Sequence, residues 1–167
     1  MKQAIRLISI ILLFAGTFAS CDLFNDTQSA ATSRLTFKVA TSNKTNLNDT
    51  ILFTSNNIKS FNELTGEVVF TDTLIPKKLG SYHLIKCLLG TDSLFAATLT
   101  SDIMSSIVND LVLNHNLEDG KFYFEDGYPN WIDNFGATNL RAQNKKNRAV
   151  AWNRFINQLK LERKLKE

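Results

Sequence analysis

At Gly136 the sequence changes character. No Gly or Pro occurs between there and the C-terminus, whereas the chain before it is repeatedly punctuated by them. In the final stretch Ala151, Trp152, Phe155, Ile156 and Leu159 recur at three- and four-residue spacing, which traces one face of an amphipathic helix. The spacing predicts a helix over about 139–164 that lays Trp152 and Phe155 on a sheet. Its opposite face carries Lys145, Lys146, Asn153, Lys160 and Lys164.

Upstream the signals are those of strands. Leu35-Thr36-Phe37-Lys38-Val39 alternates at period two, and a polar loop separates it from Ile51-Leu52-Phe53-Thr54. Two strand-like pieces follow between Ile58 and Phe70, around a short connection at Gly66, where positive φ is available at little cost. Pro76 and Gly80 bound a second loop. Tyr82–Leu89 and Ser93–Leu99, joined through Gly90-Thr91-Asp92, form the clearest hairpin. Val108–Leu113 and Lys121–Glu125 suggest another around Glu118-Asp119-Gly120, because Asn114-His115-Asn116 punctuates it as a turn would. Ile103, Met104, Ile107, Val108, Leu111 and Val112 also fit a helical stripe with Ser101 as N-cap, so strand and helix compete over 102–113. Strands followed by a terminal helix give an α+β class: a mostly antiparallel sheet of about seven strands in hairpins, with one long C-terminal amphipathic helix packed on it.

The N-terminus reads differently. Lys2 and Arg6 precede an apolar run, Leu7 to Ala15, too short for a helix to cross a bilayer of about 30 Å. Small residues Ala19 and Ser20 then lead to Cys21, the order of a secretory signal. Phe18-Ala19-Ser20-Cys21 resembles the lipobox of bacterial lipoproteins, with Phe18 where Leu is usual. The resemblance implies cleavage after Ser20, lipidation of Cys21 and a membrane anchor of several acyl chains. Residues 1–20 are then a signal peptide, 21–33 a polar tether, and 34–167 a single domain. Cys87 is the other cysteine of the chain. It sits in the apolar run Leu84–Leu89, so it reads as a buried hydrophobe, and no intrachain disulfide is expected.

The stretches Ile58-x-x-Phe61-Asn62, Thr65-Gly66-Glu67-Val68-x-Phe70, Asp110-Leu111-Val112-Leu113 and Phe122-Tyr123-Phe124-x-Asp126-Gly127-Tyr128-Pro129, with the Trp-bearing terminal helix, resemble uncharacterised envelope lipoproteins of gut Bacteroidetes. This resemblance implies a cell-envelope location, at the outer membrane, and supplies no activity and no catalytic residues. Asp49-Thr50-Ile51, Asp72-Thr73-Leu74 and Asp92-Ser93-Leu94 each resemble the acceptor used for O-glycosylation of exported proteins in that phylum. Thr50, Thr73 and Ser93 are therefore candidate glycan carriers, all in expected loops or turns.

Charge is unevenly distributed. Residues 22–136 hold 8 Lys and Arg against 14 Asp and Glu, and residues 137–167 hold 9 against 2. Such asymmetry suits either a helix that complements its own acidic sheet or a cationic face for anionic lipid or polysaccharide. The envelope expectation argues against nucleic acid. No phosphate loop, nucleophile elbow or zinc-protease helix occurs. The two histidines, His83 and His115, lack metal-ligand spacing, so neither a metal nor another cofactor is expected. Glu118, Asp119, Glu125, Asp126 and Asp133 form a local excess of carboxylates. If one were desolvated, a pair could serve general acid/base chemistry on a glycoside. Tyr128, Trp131, Asp133 and Phe135 interleave rings with polar groups in the loop before the helix, as a glycan-binding surface would, or else plug the core edge. The expectation is a non-catalytic, lipid-anchored binding or accessory module for an envelope protein or glycan partner. The alternative is a polysaccharide-acting hydrolase using carboxylates near 118–133.

Overall fold

The computed structural model describes residues 34–40, 50–131 and 135–166, apart from the side chain of Phe135. They belong to one compact unit, Ser33–Glu167. Nine strands run in the order β1 (Leu35–Val39), β2 (Ile51–Thr54), β3 (Ile58–Asn62), β4 (Glu67–Phe70), β5 (Leu84–Leu89), β6 (Asp92–Ser101), β7 (Val112–Asn116), β8 (Lys121–Glu125) and β9 (Leu165–Lys166). A short helix α1 (Leu74–Leu79) follows β4, and a long helix α2 (Phe135–Leu161) precedes β9. All nine strands join one sheet in the spatial order β2-β1-β5-β6-β7-β8-β4-β3-β9.

That order has a geometric consequence. β2 is the edge strand and β3 lies at the far side, yet they are joined by a single 3-10 turn, Ser55–Asn57. Asn57 Oδ1 accepts the Thr54 N–H at 2.9 Å and tightens the turn. A flat sheet could not bring its two sides within three residues of each other, so the sheet curls around its own concave face. Phe53 of β2 meets Phe70 of β4 edge-on at 5.2 Å between ring centroids, across the curl.

The concave face holds the core. Leu35, Phe37 and Val39 are buried on alternate positions of β1, and the same period places Phe122 and Phe124 inward from β8. α2 fills the curl with Phe155, which is fully buried and meets Phe61, Phe95 and Phe124 at 5.4–5.9 Å in edge-on contacts. Trp152 packs beside it at 5.0 Å. Edge-to-face packing suits the ring quadrupole and adds about 0.5–1.5 kcal/mol per pair to the gain from area burial. Trp152 and Phe155 thus rest on the sheet as the helical spacing requires.

The α+β architecture is as the pattern predicts, with four differences. The described residues form nine strands rather than about seven, and β6–β7 and β3–β9 pair in parallel. Residues 74–79, expected as loop between Pro76 and Gly80, form α1, where Pro76 sits in the first turn and sacrifices no helical hydrogen bond. Over 102–113 no helix forms, and the expected hairpin with Lys121–Glu125 forms but starts later: its first strand runs through Asn114-His115-Asn116, which were expected as turn residues. β7 begins only at Val112, and the segment before it is irregular, crossing from β6 to its parallel partner with a single bridge between Val108 and Tyr128. A parallel neighbour cannot be reached by a tight turn, so this stretch is spent on the crossing. Finally α2 spans 135–161, four residues earlier than predicted at its start, and Lys164 lies beyond it, donating from Nζ to Ile58 O at 2.6 Å.

Candidate functional site

The first half of α2 buries little apolar surface. It is held by polar anchors at helical spacing instead. Arg141 donates to Pro129 O at 3.1 Å and to Asn109 Oδ1 at 3.3 Å, and Asn144 Nδ2 donates to Asn109 O at 2.8 Å. Arg148 pairs with Asp110 at 2.9 Å and also with Asp126, which Lys145 bonds at 2.7 Å. Arg154 reaches Asp92 of β6 at 2.8 Å. Residues 141, 144 and 148 continue the stripe that Ala151, Phe155 and Leu159 complete. The helix thus uses several of its cations on the acidic residues of its own fold. Lys160, Arg163 and Lys166 form no ion pair with a described carboxylate.

The carboxylates of the alternative, hydrolytic reading stand in different surroundings. Asp119 accepts the Tyr123 hydroxyl at 2.6 Å, which holds its carboxyl below the usual range and pushes the Tyr123 phenol up to about 12. Glu118 is exposed, and Asp126 is neutralised by Arg148 and Lys145. Asp133 lies outside the described residues. Glu125 differs from the rest. It is half-buried, its Oε2 has no hydrogen-bond partner, and desolvation and then the charge of Asp102 raise its pKa, opposed by a long bond from Asn130. Asp102, which sequence reading did not single out, accepts from Asn114 Nδ2 at 3.1 Å and from the Leu117 N–H at 3.0 Å. Among the described residues no three His, Cys, Asp or Glu side chains gather as a metal site would require.

The aromatic loop divides. Tyr128 is not at a binding surface: it is 6% exposed, and its hydroxyl donates to Met104 O at 3.1 Å, which ties the 102–108 crossing to the segment after β8. Trp131 is 77% exposed. Phe135 starts α2 rather than belonging to the loop. Of the proposed glycan carriers, Thr73 is exposed beside α1 and Thr50 is half-buried beside β2. Ser93 is exposed but stands in β6 opposite Leu88, not in a loop, because the strand runs straight out of the Gly90-Thr91 turn. Cys21 lies outside the described residues.

A site that sequence reading missed opens at the mouth of the curl, at the end where β7 turns into β8. It is a cavity of about 420 Å³. Its floor is a row of inward side chains set by register: Leu99 opposite Leu113, and Ser101 opposite His115 opposite Phe122. α1 forms one wall through Pro76 and the buried Leu79, continued by Tyr82 and His83. Met104, Ile103 and Leu117 complete the rim, the last two 82% and 47% exposed. The His115 ring stacks flat on Phe122 with centroids 4.4 Å apart. The lining is thus mainly apolar, with two imidazoles, a phenol and a hydroxyl at its edge. Volumes of roughly 300–1,000 Å³ with few polar groups on an apolar lining are typical of small-molecule sites. Both histidines of the chain, far apart from any motif, meet here only because β5 and β7 flank β6. The one hint in the sequence was that Ile103, Met104 and Leu117 are apolar yet fall outside every expected strand.

No family model matches the chain, and no curated protein or solved structure matches it either.

Proposed function

We propose that this chain is a lipid-anchored cell-envelope binding module that holds a small, largely apolar molecule in the mouth of its curled sheet. The observation that carries the reading is the 420 Å³ cavity, whose apolar floor is rimmed by Tyr82, His83, Ser101 and His115. An amphipathic ligand would place its hydrocarbon part on Leu99, Leu113 and Phe122. Its polar end would meet the imidazoles and the hydroxyls. Ile103 and Leu117, costly to leave in water, gain a partner when the site is filled.

Titration of the Cys21→Ser chain with a dansylated fatty acid tests this reading. Saturable fluorescence enhancement is expected, and it is lost when Met104→Trp fills the cavity while the far-ultraviolet dichroism stays native. Equal binding by the Met104→Trp chain overturns it. The anchor is tested separately: Cys21→Ala is expected to abolish lipid labelling and detergent partitioning. An intact mass equal to peptide plus lipid would eliminate O-glycosylation at Thr50, Thr73 and Ser93.

One observation favours a second reading. Burial and then the charge of Asp102 raise the pKa of Glu125, so its surroundings favour the protonated form. That pair is the place to look for hydrolysis. Turnover of a polysaccharide substrate that is abolished by both Glu125→Gln and Asp102→Asn would support it over simple binding.

A further inference from the structure

The C-terminal end of α2 is built against the easiest backbone choice. The Glu162 N–H bonds Gln158 O at 3.0 Å, and the Lys164 N–H reaches back to Leu159 O at 2.9 Å, which closes the helix with Arg163 in the left-handed region at φ +56°. Glycine is the usual residue at this position, because a Cβ there crowds the following carbonyl. Here it carries a guanidinium. The adjoining Glu162 turns away, accepting the Ser55 hydroxyl at 2.9 Å and the Gln158 amide at 2.8 Å. The turn therefore keeps Glu162 and Lys164 bonded within the fold and presents the Arg163 guanidinium outward.

With Lys160 and Lys166, Arg163 lines a groove of about 760 Å³ between α2 and the β3–β4 turn. Asn153, Asn157 and Lys160 stand one helical turn apart along one wall, and Arg163 and Lys166 close the end. Leu64, at 92% exposure, and Leu165 form the opposite side, with Glu63 as the one carboxylate of the lining. None of these residues borders the cavity at the sheet mouth.

We propose that this groove binds an acidic oligosaccharide, in a site separate from the apolar cavity. The chemistry matches part by part. Carboxylates of the sugar meet Lys160, Arg163 and Lys166, hydroxyls meet the two asparagine amides, and the C–H faces of the rings rest on Leu64 and Leu165. A peptide strand fits less well, since β9 offers an edge of only two residues for strand addition. A single-stranded nucleic acid would need stacking rings, and the groove lining has none.

Calorimetric titration of the Cys21→Ser chain with a galacturonate tetramer, with maltotetraose and polyglutamate as controls, tests the proposal. Binding of the galacturonate tetramer that weakens with salt is expected, with no binding of maltotetraose and weaker binding of polyglutamate. Arg163→Gly separates function from folding. It should raise the melting temperature by about 3 °C by relieving the left-handed conformation. The same change should weaken galacturonate binding about tenfold, as loss of a charge-assisted hydrogen bond does. Lys160→Gln should weaken binding without changing the melting temperature. Absence of galacturonate binding, equal binding of maltotetraose, tighter binding of polyglutamate, or undiminished binding by the Arg163→Gly chain would each overturn it. Retained binding of the dansylated fatty acid in Arg163→Gly shows that the apolar cavity stands independently.

Discussion

Gly66 stands at φ +75° in the β3–β4 turn, and a Cβ built on it would lie 2.2 Å from the Phe124 carbonyl oxygen. Backbone cannot yield as a side-chain tip can, and the left-handed conformation adds its own strain. Gly66→Ala is therefore expected to destabilise the fold by about 2 kcal/mol or more, measured by urea unfolding. Glu125 makes a prediction of the opposite sign. Its carboxyl titrates higher in the fold than the free side chain, so the folded state binds its proton more tightly. Its contribution is fully present below the unfolded value and is lost as pH rises through the folded one. Glu125→Gln should hence melt above the parent chain at pH 7, with the difference shrinking towards pH 4. A constant gap across that range would show that ionisation of Glu125 is not the cause. Neither residue could be weighed from sequence alone: the turn at Gly66 was legible, but the carbonyl against it and the proximity of Asp102 arise only from the folded register.

Among the elements, α2 is the one whose removal would cost most. Phe155 stands among Phe37, Phe61, Phe95, Phe124 and Trp152, with all centroids within 6.3 Å. Phe155→Ala is expected to cost about 3–5 kcal/mol by thermal or denaturant unfolding, the range for emptying a large aromatic site. Trp131→Ala, at an exposed ring, should change stability by no more than about 0.5 kcal/mol. The apolar half of this helix was legible because burial imposes a three- and four-residue period on Ala151 through Leu159. Its polar half was not, because Arg141, Asn144 and Arg148 dock on carbonyls and carboxylates, and such side chains look like solvent face in a sequence. The β5–β6 hairpin carried clear alternation around a punctuating turn, whereas the start of β7 did not, because apolar residues before it also fit a helical stripe. β9 left no trace: two residues show no period, and their pairing with β3 depends on the turn at Arg163. The mouth cavity was illegible for a related reason, since its walls come from five separate segments that only the strand order brings together.

At the scale of the whole molecule, the sheet is a curl whose sides are tied by Ser55–Asn57 and whose hollow is filled by α2. Cys87 reports on that closure. It lies in β5 between Phe37 of β1 and Phe95 of β6, and burial pushes its thiol far above the ordinary range. The thiolate is the reactive form, so in the Cys21→Ser chain Cys87 is expected to resist a disulfide reagent at pH 8 until global unfolding. Fast labelling without denaturant would show that β5 opens on its own. The position of the filling element also bears on how the gene tolerates error. The strands from Leu35 to Glu125 precede α2, so a ribosome has made every described strand but β9 before it makes Phe155 or Leu159, the residues that close the curl. A premature stop codon upstream of those two would leave no smaller working protein but an open sheet of uncovered phenylalanines, prone to pair with its neighbours. For this chain, a nonsense mutation within the codons of α2 is as damaging as one within those of β1.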